Sequence, residues 1–100
     1  MRPAGLILGQ QAEDELYEAA NWYEARSEGL GIALLDEVEA LLDRVADNPR
    51  QFPAVYRDVH RALVRRFPYG VFFRVRQDGS VKVIAIMHVA RRPERWQKRR

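Results

Sequence analysis

The chain contains no cysteine. That absence excludes disulfide frameworks, thiolate metal sites and thiol nucleophiles together, and it agrees with a reducing, cytoplasmic setting. Histidine is limited to His60 and His88, too few to close a metal site by themselves. Lysine is also scarce, since Lys82 and Lys98 are the only two among 17 cations and arginine supplies the rest. Long apolar runs are missing. The opening segment, residues 1 to 16, loses its apolar character within a few residues and turns acidic, too early for a signal-peptide core or a membrane span. No cofactor, metal or membrane partner is therefore expected. Repeats and low-complexity linkers are absent too, and 100 residues with 47% hydrophobic content bury enough surface for one core, so residues 1–100 read as a single domain.

What is present is an uneven distribution of charge. The net value of +3 hides two opposed halves. Residues 1 to 48 hold Arg2, Arg26 and Arg44 against eleven acids, and residues 49 to 100 hold the other 14 cations against Asp58, Asp78 and Glu94. The planar fork of arginine suits phosphate and carboxylate recognition, so one reading is an anionic partner. The other is that acidic helices neutralise a basic sheet within the molecule.

Periodicity supplies the elements. Leu6, Ile7 and Leu8 read as a short first strand. From Gln11 to about Ser27, Ala12, Leu16, Ala19, Ala20 and Tyr23 recur at spacings of three and four, and Glu13, Asp14 and Glu15 crowd the first turn, where the helix dipole favours acids. Glu28 to Gly31 breaks the pattern. A second helix follows from about Leu30 to Asp47, with Leu34, Leu35, Val38, Leu41, Leu42 and Val45 on one stripe, and stops before Pro49. Pro49 to Val55, with two prolines, reads as a connection. The period then changes to two: Val59, Arg61, Leu63, Arg65 and Phe67 alternate with His60, Ala62, Val64 and Arg66 until Pro68 ends the strand. In the next strand Val71, Phe73 and Val75 point one way and Phe72, Arg74 and Arg76 the other. Residues 77–80 form a hairpin turn, and Val81 to His88 is almost continuously apolar (Val83, Ile84, Ala85, Ile86, Met87), as expected of a central strand covered on both faces.

The order is β-α-α-β-β-β, an α+β fold in which a two-helix hairpin packs on one face of a small antiparallel sheet. The other face is expected to stay partly open and to present Arg74 and Arg76. The tail, residues 90–100, is either a partner-binding arm or a solvated end, with Pro93 and Trp96 favouring an ordered start. Trp22, Tyr17 and Tyr23 read first as core or helix-packing groups, and Tyr69 as a sheet-packing one.

Several segments in this order resemble the RelE/ParE superfamily of type II toxin-antitoxin toxins. They are Ala12 to Glu24 (AEDELYEAANWYE), Leu30-Gly31, Asn48-Pro49 followed by Phe52-Pro53, His60 to Val75 (HRALVRRFPYGVFFRV) and His88 to Trp96 (HVARRPERW). The resemblance spans nearly the whole chain and implies the same fold. It also implies a toxin neutralised by a cognate antitoxin, whose flexible segment wraps the groove and sheet and through which alone the toxin reaches operator DNA.

The superfamily divides by target, either messenger RNA on the ribosome or DNA gyrase. RNA cleavage needs groups to deprotonate the 2′-hydroxyl and protonate the leaving oxygen, with cations on the phosphorus. Against the RelE pattern, Arg61 matches one basic position and Arg91 the tail arginine. Leu63 and Gly70 occupy two positions where cations are expected, and Trp96 falls near the tyrosine, where an indole serves as neither acid nor base. Some RNA-cleaving relatives use a histidine near the end of the last strand, so a ribonuclease would rely on His88, Arg91, Arg61 and Arg65. The plainer reading is that His88 caps the strand locally and His60 sits at the surface.

The missing cations put a ParE-like gyrase inhibitor first, with Arg74, Arg76, Arg91, Arg92 and Trp96 as the target-binding set and no chemistry of its own. The endoribonuclease comes second. A basic binding module that has lost toxicity, or that serves only as corepressor with its antitoxin, is the third.

Overall fold

The computed structural model describes residues 3–100. A short strand β1 (Leu6–Leu8) leads into two long helices, α1 (Gln10–Arg26) and α2 (Leu30–Asp47). A single turn of 3₁₀ helix at Pro49–Gln51 follows, then β2 (Ala54–Tyr56), β3 (Val59–Leu63), β4 (Tyr69–Val75), β5 (Val81–His88) and a short tail helix α3 (Glu94–Gln97). The five strands form one sheet in the order β1-β5-β4-β3-β2. β1 runs parallel to β5, and every other pairing is antiparallel. The expected helix hairpin on one sheet face is therefore present, with the meander β3-β4-β5 as its floor.

The two helices meet closely because Gly31 allows it. A Cβ at Gly31 would stand 2.4 Å from the Ala20 carbonyl oxygen, inside any tolerable contact. Gly29, with φ of 86°, turns the chain into α2. The carboxylate of Glu24, near the end of α1, accepts the Gly29 and Gly31 N–H groups at 2.8 and 2.9 Å. Those are donors that the start of α2 leaves free, so one side chain ties the end of one helix to the start of the next. The bonds from Gly29 and Gly31 hold the Glu24 carboxyl below its usual value.

Beneath the helices, Leu16, Leu34, Val38, Leu41, Leu42 and Val45 pack against Ala62, Val71, Phe73, Val83 and Ile86. A second cluster lies on the opposite sheet face and contains Val59, Phe72, Ile84, Ala85, Met87 and Trp96. The face expected to remain open is thus covered by the tail. The Trp96 ring stacks on Phe72 with centroids 4.4 Å apart and planes 22° from parallel, and meets Tyr56 edge-on at 6.0 Å. Arg100 then bonds Asp58 at 2.6 Å, and Arg74 bonds the same carboxylate at 2.8 Å.

Three local expectations change. β2 forms inside the stretch read as a connection, pairing with β3 through Ala54 and Tyr56. β3 ends at Leu63 rather than Phe67, because Val64 N–H closes onto the Tyr69 carbonyl and Arg66 adopts a φ of 71°. Arg65 and Arg66 consequently leave the sheet, and Phe67 turns inward to meet Tyr23 at 5.0 Å. His60 is not a surface group: its ring stacks on Phe73 at 5.4 Å, and its Nδ1 donates to the Phe52 carbonyl at 2.8 Å.

Candidate functional site

β1 is too short to accompany β5 along its length. Their pairing stops at Val83, where Gly9 N–H takes the Val83 carbonyl and the chain departs into α1. From there to His88, β5 faces the side of α1 across a groove of about 810 Å³. Glu15, Glu18, Trp22 and Arg26 form the helical wall at spacings of three and four. Ile86, Met87 and His88 form the strand wall, Tyr23 and Tyr69 the floor, and Arg91 and Arg95 the rim.

Aromatic contacts set this geometry. Tyr23 meets Tyr69 at 6.2 Å, Tyr69 meets His88 at 5.6 Å, and the Arg26 guanidinium lies 3.5 Å over the half-exposed Trp22 ring. Burial, helped by Tyr23 and Glu18 and opposed by Arg91, pushes the Tyr69 hydroxyl above its ordinary value. A phenol raised in this way keeps its proton and is a weaker acid than a free tyrosine. His88 Nδ1 accepts the Ala90 N–H at 3.0 Å, which leaves the proton of the neutral ring on Nε2 and makes the imidazole a local strand cap.

The upper part of the groove is closed by an ion pair. Arg99, reaching back from the tail, bonds both Glu15 oxygens at 2.9 and 3.1 Å and the Ile84 carbonyl at 3.2 Å. Glu15 in turn accepts the Ile86 N–H at 3.1 Å. Among the described residues no cluster of His, Asp or Glu is arranged to hold a metal ion, and no helix is long and apolar enough to cross a membrane.

Comparison with known proteins agrees with this arrangement. A family model described as the ParE toxin of the type II toxin-antitoxin system, parDE, matches residues 6–93. The chain belongs to the ParE toxin family. No curated protein matches it. Among solved structures it is similar to a chain of the chromosomal ParDE TA system from P. aeruginosa, at 17% identity and a TM-score of 0.72, over 84% of this chain and 94% of that one. At that identity the likeness speaks for the fold.

Within this ParE fold the residues singled out for chemistry do not converge. His88 and Arg91 stand at the groove, on the helix side of the sheet with Tyr69. Arg61 pairs in register with Phe72, whose ring lies under Trp96 on the opposite side. Arg65 is exposed in the bend after β3. Leu63 and Gly70 are direct cross-strand partners, so the two positions without cations sit side by side next to Arg61. Among buried side-chain nitrogens of the described residues, Arg61 Nε has no hydrogen-bond partner.

The residues singled out for target binding are equally dispersed. Arg74 is held by Asp58, whose carboxyl, despite the upward push of desolvation, is kept below its usual value by hydrogen bonds from Arg74 and Arg100. Arg76 is exposed beside the β4-β5 turn, and Arg92 is exposed on the tail. Trp96 is only 6% exposed and belongs to the second core, its ring packed on the sheet. Sequence reasoning missed Glu15, whose acidic neighbours on the first turn read as a dipole effect. Its partner lies 84 residues away.

Proposed function

We propose that this toxin inhibits growth by binding DNA gyrase without cutting nucleic acid, and that a cognate antitoxin neutralises it with an extended segment laid in the α1-β5 groove. Operator DNA is reached only through that antitoxin. Family membership supports the toxin role. The observation that favours a binding role over ribosome-dependent cleavage of messenger RNA is the separation of Arg61 from His88 and Arg91 by the thickness of the sheet, with His88 Nδ1 already committed to Ala90. Acid–base cleavage needs its groups within hydrogen-bond reach of one phosphate.

Controlled expression in bacteria tests the reading. Growth is expected to stop, and to resume when the small reading frame beside the gene is co-expressed. Purified protein should inhibit gyrase supercoiling, leave RNA intact in primer-extension mapping, and keep its effect in His88→Ala. Defined RNA cuts that vanish in His88→Ala would overturn the gyrase assignment in favour of an endoribonuclease, and unaffected growth would leave only a non-toxic binding module.

A further inference from the structure

An ion pair at the edge of β5 occupies the place of a missing strand. In an extended strand the C=O of one residue and the N–H two residues later point the same way, and a neighbouring strand satisfies both. Here those groups are the Ile84 C=O and the Ile86 N–H, immediately beyond the point where β1 leaves β5. Arg99 donates to the first and Glu15 accepts from the second. The local twist that exposes them arises because Ile84 has no partner on β4: Phe72 pairs with Ala85 and Phe73 with Val83, so one extra residue bulges from β5. Side chains of α1 and the tail thus perform together what a sixth strand would do, and they block pairing of an unprotected edge.

We infer that this pair is a displaceable plug, and that an extended acidic segment adding to β5 competes with Glu15 and Arg99 for the same two backbone groups. The inference rests on the groove being the partner site. The chemistry of the walls supports that class of partner: Arg26, Arg91 and Arg95 outnumber Glu18, the one acid of the groove not tied to Arg99, while Trp22 and Tyr69 offer apolar faces. Because Arg99 lies in the tail, the competition has a second consequence. A segment that takes the edge also frees the Arg99 side chain, leaving the tail held by the packing of Trp96 in the second cluster and by Arg100 on Asp58. The groove and the opposite sheet face, separated by the thickness of the sheet, are coupled through one ion pair.

The test uses the full chain and the small protein encoded beside its gene, followed by amide and indole NMR signals. In the complex the Ile86 amide is expected to gain exchange protection, while the Trp96 indole signal shifts and broadens. Arg99→Gln and a chain shortened after Lys98 remove the plug from the tail side, and each is expected to bind about ten-fold more tightly, since a closed site lowers apparent affinity by the fraction that is open. The amide spectrum of each variant verifies its fold. Tight binding with Ile86 protected but affinity unchanged or weakened in both variants would overturn the plug and leave the groove intact. Binding that leaves the Ile86 amide unprotected would overturn the groove itself as the partner site.

Discussion

Replacing Trp96 with alanine removes the centre of the second core and should cost much of the stability of the fold. The ring is 6% exposed, stacks on Phe72 and covers Val59, Ile84, Ala85 and Met87. Burying an aromatic side chain removes roughly 150–250 Å² from water, which at about 25 cal/mol/Å² amounts to ~4–6 kcal/mol. Unfolded chains already bury part of that area and alanine keeps its methyl group, so the expected loss is ~3 kcal/mol, the low end of measured truncations of this kind. For a domain of this size that corresponds to a fall in Tm of about 12–24 °C. Urea unfolding followed by far-UV circular dichroism measures it, with Trp96→Phe as the control that keeps a ring over Phe72 and loses about 1 kcal/mol. If Trp96→Ala costs less than about 1 kcal/mol, it is behaving as an ordinary surface change and the tail does not cover the sheet in solution.

Two further perturbations probe the helix hairpin. Gly31→Ala would place a methyl group against the Ala20 carbonyl and force α1 and α2 apart, with an expected loss of ~1–3 kcal/mol in the same urea assay; an unchanged midpoint would show that the crossing is looser than described. Glu24 has a carboxyl depressed below 4.5, so its bonds to Gly29 and Gly31 contribute stability that is fully present above that value and is lost as pH falls through the lower folded value. Urea midpoints taken between about pH 6 and pH 3 should therefore fall more steeply for the native chain than for Glu24→Gln, and equal slopes would remove Glu24 from the cap.

The helices and β5 were legible because each is long, has a distinct pattern and is closed by a recognisable signal. Gly29 and Pro49 mark the limits of α2, and Val81 to His88 is apolar on both faces because both faces are covered. β2 escaped because three residues beside Pro53 show no alternation; what makes them a strand is pairing with β3. The letters from Val59 to Phe67 alternate throughout, yet the chain turns at Val64, since a hairpin bond to Tyr69 and the packing of Phe67 on Tyr23 outweigh continuing the strand. In the site, His88 and Arg91 were legible as neighbours at one strand end. Which face Arg61 and His88 occupy depends on strand register, including the bulge at Ile84, and no local pattern in the sequence reveals a bulge. Trp96 was recognisable as a ring requiring cover, but its cover, Phe72, was chosen by the fold.

Charge asymmetry between the halves now divides into two populations with opposite consequences. Arg99 is consumed by Glu15 of α1, the neutralisation by an acidic helix that the composition allowed, whereas Arg74 and Arg100 are consumed by Asp58 within the basic half itself. Arg91 and Arg95 border the groove and are exposed. If the basic half attracted acidic partners through its overall field, neutralising any of these arginines would weaken binding by a similar small amount. The plugged edge predicts otherwise: Arg91→Gln should weaken binding of the antitoxin in calorimetry, by about ten-fold for the loss of one charge-assisted bond, whereas Arg99→Gln, an identical change in net charge, should strengthen it. Equal effects of the same sign would mean that the two cations act through the field alone, and that the contact of Arg99 with Ile84 has no bearing on recognition.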